Sequence, residues 1–236
     1  MKLALIGYGA MGQLVETLAR AAGDEIGLTV TSRDASLDAL ELATALRGHD
    51  AAIDFSVGAT TLRNVEACAR AGVPLVEGTT GWKDQEADVR RIVAEYDAAL
   101  VYGANFSIGV NIFYKIVAHA SGLMAALNQY QAFIEEEHHS RKRDAPSGTA
   151  LKLKELMAER IKTEIPIAST RAGHIPGTHR VGFDSAADQI VLTHMARSRE
   201  GFAAGALLAA RWIVGRKGMC EFSQVMDEIL NNSANV

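Results

Sequence analysis

The chain has 236 residues, with 48% hydrophobic and 22% charged residues and a formal net charge of −4. This length allows one large domain or two small ones, and the charge excludes a general attraction to nucleic acid or to an anionic membrane. The first apolar run breaks at Gly7 and is too short for a signal peptide or a membrane span. Two cysteines without metal-ligand spacing fit a reducing cytoplasm, and no metal site is expected.

The N-terminus predicts a strand, a glycine turn and a helix. Residues 2–6 are strand-like, Gly7, Gly9 and Gly12 form a G-x-G-x-x-G motif, and an apolar helical pattern follows. Gly7 permits the tight turn, Gly9 lets the backbone approach a pyrophosphate, and Gly12 lets the helix pack closely on the strand. This context predicts a dinucleotide site.

The second strand, near residues 26–31, is expected to end beside the adenine ribose of the cofactor. NAD enzymes usually carry an acidic residue at this point, whereas this chain has Ser32 and Arg33. These two residues could accept a 2′-phosphate instead, which would make NADPH the preferred cofactor and leave NADH usable. The alternative is that Arg33 is an ordinary loop cation.

Three further strands follow, near residues 51–55, 74–77 and 99–102, and helical patterns alternate with them. Polar and glycine residues stand at the carboxyl end of each strand. This alternation predicts an α/β fold with a doubly wound parallel (Rossmann) sheet and a ligand along that edge.

The pattern changes after Asn111. A helix is expected from about Ile112, then a strand at 131–134, a loop region at about 165–178, and strands at 179–183 and 189–195. Two apolar helical patterns close the chain.

Most of the chemistry is concentrated in residues 135–149. Two adjacent histidines and three cations precede a Pro-Ser-Gly-Thr turn, and a helical pattern starts there. A helix that starts at Ser147 presents unpaired backbone N–H groups, which suit a carboxylate. Histidines and a lysine beside that anion could polarise and protonate it. The alternatives are a solvated charged loop or, for the basic residues alone, a nucleic-acid patch.

The motif H-H-x-x-K-x-D-A-P-S-G-T-A also resembles the signature of the dihydrodipicolinate reductase family of lysine and diaminopimelate synthesis, and His138 to Ala150 fill every position of it. The similarity extends through most of the chain. It departs from the family at the glycine motif, which is commonly one residue longer there and includes an arginine.

This resemblance implies an NAD(P)H-dependent reduction of 4-hydroxy-tetrahydrodipicolinate. His138 would be the acid, Lys142 would assist proton transfer, and His139 would contact the dicarboxylate substrate. Lys142, Ser147, Gly148 and Thr149 would hold a substrate carboxylate. The glycine motif and the end of the second strand predict cofactor contacts at Gly7, Tyr8, Gly9, Ala10, Met11, Gly12, Ser32 and Arg33. The resemblance adds Phe55, Gly78, Thr79, Thr80, Ala104, Asn105 and Phe106.

The resemblance also implies two domains and a homotetramer. Residues 1–106 and 207–236 would form the nucleotide-binding domain, and residues 107–206 an α+β open-sheet domain for substrate binding and oligomerisation. Two other functions are compatible with the glycine motif alone: another amino-acid dehydrogenase of this fold, acting on aspartate or homoserine, and a non-catalytic NADPH sensor. Neither needs the complete histidine and lysine motif.

Overall fold

The computed structural model describes residues 1–233, which form ten strands and eight helices in two compact units. One unit, called the nucleotide unit after its predicted ligand, contains Met1–Ile108 and the segment that starts at Arg199; the other, called the second unit, contains Gly109–Ser198. The sequence placed the boundaries after residue 106 and before residue 207; the second of these falls within the helix Glu200–Ile213. Within the described residues, no helix is long and apolar enough to cross a membrane.

Strands and helices alternate through the first part of the nucleotide unit, which contains β1 Lys2–Ile6, α1 Ala10–Ala21, β2 Glu25–Val30, α2 Ala39–Leu46, β3 Ala51–Asp54, α3 Thr61–Ala71, β4 Leu75–Glu77, α4 Glu86–Glu95 and β5 Ala99–Tyr102. The second unit contains α5 Ile108–Met124, β6 Gln131–His138, α6 Gly148–Ala158, β7 Ile167–Arg171, β8 Thr178–Asp184 and β9 Gln189–Met195. The chain then returns to the nucleotide unit through α7 Glu200–Ile213, β10 Gly218–Glu221 and α8 Phe222–Ser233.

The nucleotide unit is built on a six-stranded parallel sheet in the order β10-β5-β4-β3-β1-β2. The winding reverses at β1, which lies between β2 and β3, and ligands of such sheets bind outside the carboxyl ends of the strands at this point. The predicted doubly wound sheet is confirmed. Strand β10 was not predicted, because four partly exposed residues carry little hydrophobic pattern.

The second unit has a four-stranded mixed sheet in the order β7-β6-β8-β9. Helices α5 and α6 supply Phe113, Val117, Ala150, Leu153 and Met157 to a core on one face of this sheet. The prediction of a loop over 165–178 was wrong in part, because Ile167–Arg171 pairs in parallel with β6. This edge strand is short and mostly exposed, so it lacks the alternation that reveals a half-buried strand.

Candidate active site

The candidate active site of the second unit is centred on a buried carboxylate, Glu136. Side chains alternate along β6, so Glu136 and His138 point to the same face as Ile134, toward the helices. Glu136 is 1% exposed and His138 is 8% exposed. A charge at this depth is stable only if it is paired and hydrogen-bonded.

One oxygen of Glu136 accepts three hydrogen bonds. The donors to Oε1 are the Ser147 backbone N–H at 3.0 Å, the Ser169 hydroxyl at 2.7 Å and the Arg171 guanidinium at 2.7 Å. Burial by itself raises the pKa of the Glu136 carboxyl, but the hydrogen bonds from Ser147, Arg171 and Ser169 outweigh it and lower the pKa to about 2. Glu136 is therefore a fixed negative charge at neutral pH.

The other oxygen of Glu136 faces two histidines. Oε2 lies 3.2 Å from His138 Nδ1 and 3.7 Å from His179 Nε2, and the two imidazole rings meet edge to face with centroids 5.1 Å apart. Burial lowers the pKa of His138, an effect that Glu136 opposes and the cations of Lys142 and Arg171 reinforce. Burial and the neighbouring His138 lower the pKa of His179 to about 4. His179 is thus neutral near pH 7.

A glycine leaves space beside the His138 ring. A Cβ at Gly177, where φ is +149°, would lie 3.2 Å from Nε2 and Cδ2 of His138. This φ also disfavours any other residue. The Nδ1 atom of His138 therefore faces Glu136, and bare backbone approaches Nε2.

The other predicted residues of this unit lie in the segment between β6 and α6. Lys142 pairs with Asp144 at 2.9 Å, and His139 is half-buried. Ser147 is buried as the N-cap of α6: its Oγ accepts from Ala150 N–H and lies 3.2 Å from His179 Nε2. Gly148 is exposed and Thr149 is half-buried. Their predicted contacts with substrate remain predictions.

Sequence reasoning missed four residues of this cluster: Glu136, Ser169, Arg171 and His179. The period-2 alternation of β6 would have placed Glu136 on the face of His138, but Ser169 and Arg171 lie in the segment that was expected to be a loop. Glu136, His138 and His179 also bring three ligand-type atoms within 4.8 Å of one another, a donor set that could hold a metal ion. The absence of a metal remains a prediction.

In the nucleotide unit, the glycine motif forms a tight turn between β1 and α1. Gly7 has a φ of +86°, and a Cβ there would lie 2.6 Å from the Phe55 backbone. A Cβ at Gly12 would lie 2.2 Å from the Gly7 carbonyl oxygen, whereas one at Gly9 would meet open space. Tyr8, Gly9 and Ala10 are exposed and Met11 is half-buried. The turn is thus tightly packed at Gly7 and Gly12 and open at Gly9, at the N-terminus of α1.

Ser32 and Arg33 lie at the carboxyl end of β2, in a single 3₁₀ turn, where Ser32 and Arg33 are both exposed. The acidic residue that follows, Asp34, is turned back into this segment. Its carboxylate accepts from the Thr31 backbone N–H at 2.8 Å as part of a capping box. Arg33 is therefore exposed in a turn whose adjacent acid, Asp34, already accepts hydrogen bonds from Thr31.

The remaining predicted cofactor residues follow β3, β4 and β5 at the same edge of the sheet. The Phe55 ring lies against Gly78, where a Cβ would be 2.2 Å from the ring. Ala104 is exposed, and Asn105 accepts a hydrogen bond from Ser107 N–H at 2.9 Å. The Phe106 side chain is 2% exposed and packs edge to face on Phe55. A cofactor could meet Phe106 only through its backbone.

Two family models match the chain. The model described as dihydrodipicolinate reductase, N-terminus, matches residues 1–106, and the one described as dihydrodipicolinate reductase, C-terminus, matches residues 109–226. The chain belongs to the dihydrodipicolinate reductase family. The resemblance seen in the sequence is confirmed.

Curated members of the dihydrodipicolinate reductase family match over nearly the whole chain. The 4-hydroxy-tetrahydrodipicolinate reductase of Christiangramia forsetii is 36% identical and covers 98% of this chain and 100% of its own. The 4-hydroxy-tetrahydrodipicolinate reductase of Archaeoglobus fulgidus is 36% identical, and the match covers 90% of this chain and 94% of that protein.

The fold agrees with a solved dihydrodipicolinate reductase. The dipicolinate-bound enzyme from Paenisporosarcina superposes with a TM-score of 0.77 at 20% identity, covering 94% of this chain and 97% of the other. This likeness concerns the fold: a parallel nucleotide-binding sheet and a second, mixed sheet.

We expect Glu136→Gln to lower the pKa of His138 further, because Glu136 is the nearest group that stabilises the imidazolium. The measurement is an NMR titration of the imidazole resonances of the parent and the variant. Glu135→Gln is the matched control, since this neighbour points to the opposite face of β6 and is exposed. An unchanged or higher His138 pKa in Glu136→Gln would show that Glu136 does not stabilise this ring.

Proposed function

We propose that this protein catalyses the NAD(P)H-dependent reduction of 4-hydroxy-tetrahydrodipicolinate to tetrahydrodipicolinate, with loss of the 4-hydroxyl group as water, in lysine and diaminopimelate biosynthesis. The single observation that carries the proposal is the buried Glu136–His138 pair at the end of β6, followed directly by the Lys142 and Ser147 segment. Membership of the family favours this reaction over an aspartate or homoserine dehydrogenase. A non-catalytic sensor would have no use for the pair.

The nucleotide unit fits a nicotinamide cofactor. The turn from Gly7 to Gly12 is open above Gly9 and stands at the N-terminus of α1, which favours a negatively charged pyrophosphate. When bound, the reduced nicotinamide supplies the hydride. Backbone groups at Phe55, Gly78 and Ala104 line the same edge of the sheet.

His138 delivers the proton. The Glu136 carboxylate at 3.2 Å favours a proton on Nδ1, which leaves Nε2, on the Gly177 side, to donate to the substrate. In the substrate-free site burial favours the neutral ring. A dicarboxylate bound nearby adds negative charge, raises the pKa of His138 and so charges the acid only when substrate is present.

Lys142 and the start of α6 hold a carboxylate of the substrate. Lys142 is paired with Asp144, whose side chain is 56% exposed, so the ammonium can exchange that partner for the substrate. The exposed Gly148 and the half-buried Thr149 open α6 and offer N–H groups and a hydroxyl. His139, adjacent to the acid, adds a further contact.

The open face of the second sheet supports self-association into a homotetramer. Side chains on this face come from the odd-numbered residues of β6 and β9 and include Phe133, Val191 and Met195. Val191 is 43% and Met195 is 60% exposed. Exposed apolar side chains on one sheet face are typical of an interface. The two free cysteines fit a cytoplasmic setting.

His138→Gln should retain cofactor binding and lose about 10²–10⁴-fold in kcat, because general acid catalysis contributes this much. Steady-state kinetics would be paired with cofactor fluorescence titration. His119→Gln, on α5, is the control and should behave as the parent. A near-normal kcat in His138→Gln would remove His138 as the acid.

Lys142→Ala should raise KM and lower kcat, since this cation acts on both the ground state and the transition state. Pyridine-2,6-dicarboxylate should compete with substrate and bind the variant more weakly than the parent. Lys152→Ala, a solvated lysine paired with Glu155, is the control. Equal inhibition of parent and Lys142→Ala would make Lys142 a mere surface charge.

For the cofactor we expect NADPH to be preferred, with NADH usable. Arg33 offers a planar cation suited to a 2′-phosphate, and a charge-assisted contact of about 1.5–3 kcal/mol corresponds to a preference of roughly 10- to 150-fold. Arg33→Ala should reduce the ratio of kcat/KM for NADPH over NADH, while Arg47→Ala, at the end of α2, should not. A parent that favours NADH would contradict this assignment.

Val191→Asp should dissociate the homotetramer, because it introduces a charge into the open sheet face. Sedimentation velocity would compare it with the parent and with Leu151→Asp, an exposed apolar position on α6. Tetramers in all three proteins would place self-association elsewhere, and a parent that forms no tetramer would contradict the homotetramer.

A further inference from the structure

A second pair of buried acids lies in the nucleotide unit. Asp54 and Glu77 end the neighbouring strands β3 and β4, stand opposite each other in the parallel register, and are both 0% exposed. Side chains in register on adjacent strands share a face of the sheet. The acid–base cluster of the second unit does not involve this pair.

The two carboxyl groups hold the loops that follow their strands. Asp54 Oδ1 accepts from Ser56 N–H at 2.7 Å and from the Thr79 hydroxyl at 3.3 Å, and Oδ2 accepts from the Asn64 amide at 2.7 Å. Glu77 Oε1 accepts from Thr79 N–H at 2.7 Å. Its other oxygen, Oε2, is buried and finds no hydrogen-bond partner among the residues that the structure describes.

The surroundings of the pair supply little positive charge. From α3, the groups that face it are the Asn64 amide and the Cys68 thiol, whose own pKa is raised by burial and by the two acids. The Arg63 guanidinium reaches the Asn64 Oδ1 at 2.9 Å and the carbonyls of the loop after β2. The next residue across the sheet is Tyr102, beside Glu77.

The charges on α4 and at the sheet edge are engaged with other partners. Arg90 pairs with Glu86 at 2.6 Å and also acts on Tyr102, as does Glu221. Helix α7 contacts β3 and β4, and its buried residues, which include Ala203, Ala206 and Ala210, are small or apolar.

Two carboxylates at this depth cannot both ionise without a compensating cation. Burial, followed by the charge of Asp54, raises the pKa of Glu77 well above its usual value. Burial also raises the pKa of Asp54, against the hydrogen bonds from Ser56 and Asn64. A proton on Glu77 accounts for the orphan oxygen, because the acid can then donate the side-chain hydrogen bond that joins it to Asp54 and still accept from Thr79.

We propose that Glu77 is a positioning residue whose retained proton ties the loop after β4 to the loop after β3 and so shapes the nicotinamide cofactor site. The inference rests on the proposed cofactor use of these loops. They are already in close contact: Gly78 N–H donates to the Asp54 carbonyl at 2.9 Å, and a Cβ at Gly58 would lie 2.8 Å from the Thr80 carbonyl oxygen. The proton shared by Asp54 and Glu77 adds a second link between the loops, at the residues where β3 and β4 end.

The test compares Glu77→Gln and Glu77→Leu with the parent. The glutamine amide keeps a donor toward Asp54 and an acceptor for Thr79, but cannot lose its proton, whereas leucine removes both. The dissociation constant of NADPH would be measured by fluorescence over the whole pH range in which the parent stays folded. We expect the parent to weaken roughly tenfold as pH rises through the pKa of Glu77, Glu77→Gln to stay constant, and Glu77→Leu to be weaker throughout. Glu86→Gln, at an exposed ion pair of α4, is the control and should follow the parent.

Thermal unfolding gives a readout besides binding. Because the folded pKa of Glu77 lies above its unfolded value, the stability it contributes is present at low pH and is lost as pH rises through the folded pKa. The parent Tm should therefore fall over this range more steeply than that of Glu77→Gln. If Glu77→Leu fails to fold, the pH dependence of NADPH binding and of Tm in the parent and in Glu77→Gln still tests the inference.

Two outcomes would overturn the inference: identical pH dependence of NADPH binding in the parent and in Glu77→Gln, or identical pH dependence of their Tm values. Failure of the proposed reaction is distinguishable, because a parent that binds NADPH with this pH dependence but does not reduce the dicarboxylate contradicts only the assigned substrate. A selective change in KM for NADPH, with unchanged inhibition by pyridine-2,6-dicarboxylate, would locate the effect at the cofactor loops.

Discussion

Burying the carboxylate of Glu136 is the constraint on which the second unit depends. An isolated charge in that position would be strongly destabilising, so the fold brings donors to it from the start of α6 and from β7. These donors leave Oε2 for the histidines. The same carboxylate therefore fixes the entry to α6, anchors the edge strand β7 and presents a negative charge to the His138 ring.

The pKa of a buried carboxyl group is shifted in opposite directions in the two units. At Glu136 a guanidinium and two neutral donors stabilise the charged form, and the pKa falls to about 2. At Glu77 burial raises the pKa, and the charge of the neighbouring acid Asp54 raises it further. The first arrangement keeps a charge beside His138, and the second favours the protonated form of Glu77. Burial raises the pKa of both groups, and the hydrogen bonds that outweigh it at Glu136 make the difference.

The two cofactor-recognition elements proposed for the nucleotide unit lie on different parts of the fold. The glycine turn depends on close packing at Gly7 and Gly12 and stands at the N-terminus of α1, where a pyrophosphate is favoured. Arg33, proposed to select the cofactor, lies on an exposed 3₁₀ turn after β2. On this proposal, a change at Arg33 would alter cofactor choice without disturbing the packing of the glycine turn.

The sequence by itself determined the parallel sheet, the glycine turn, the family and the segment that contains His138 and Lys142, because periodicity and short motifs are local properties of the chain. Only the tertiary structure revealed strand β7 and the partners of Glu136. The donors Ser147 and Arg171 are 11 and 35 residues away along the chain, and a buried charge is recognisable only when its donors are known. The same holds for Asp54 and Glu77, which are distant along the chain, since strand register alone makes them neighbours.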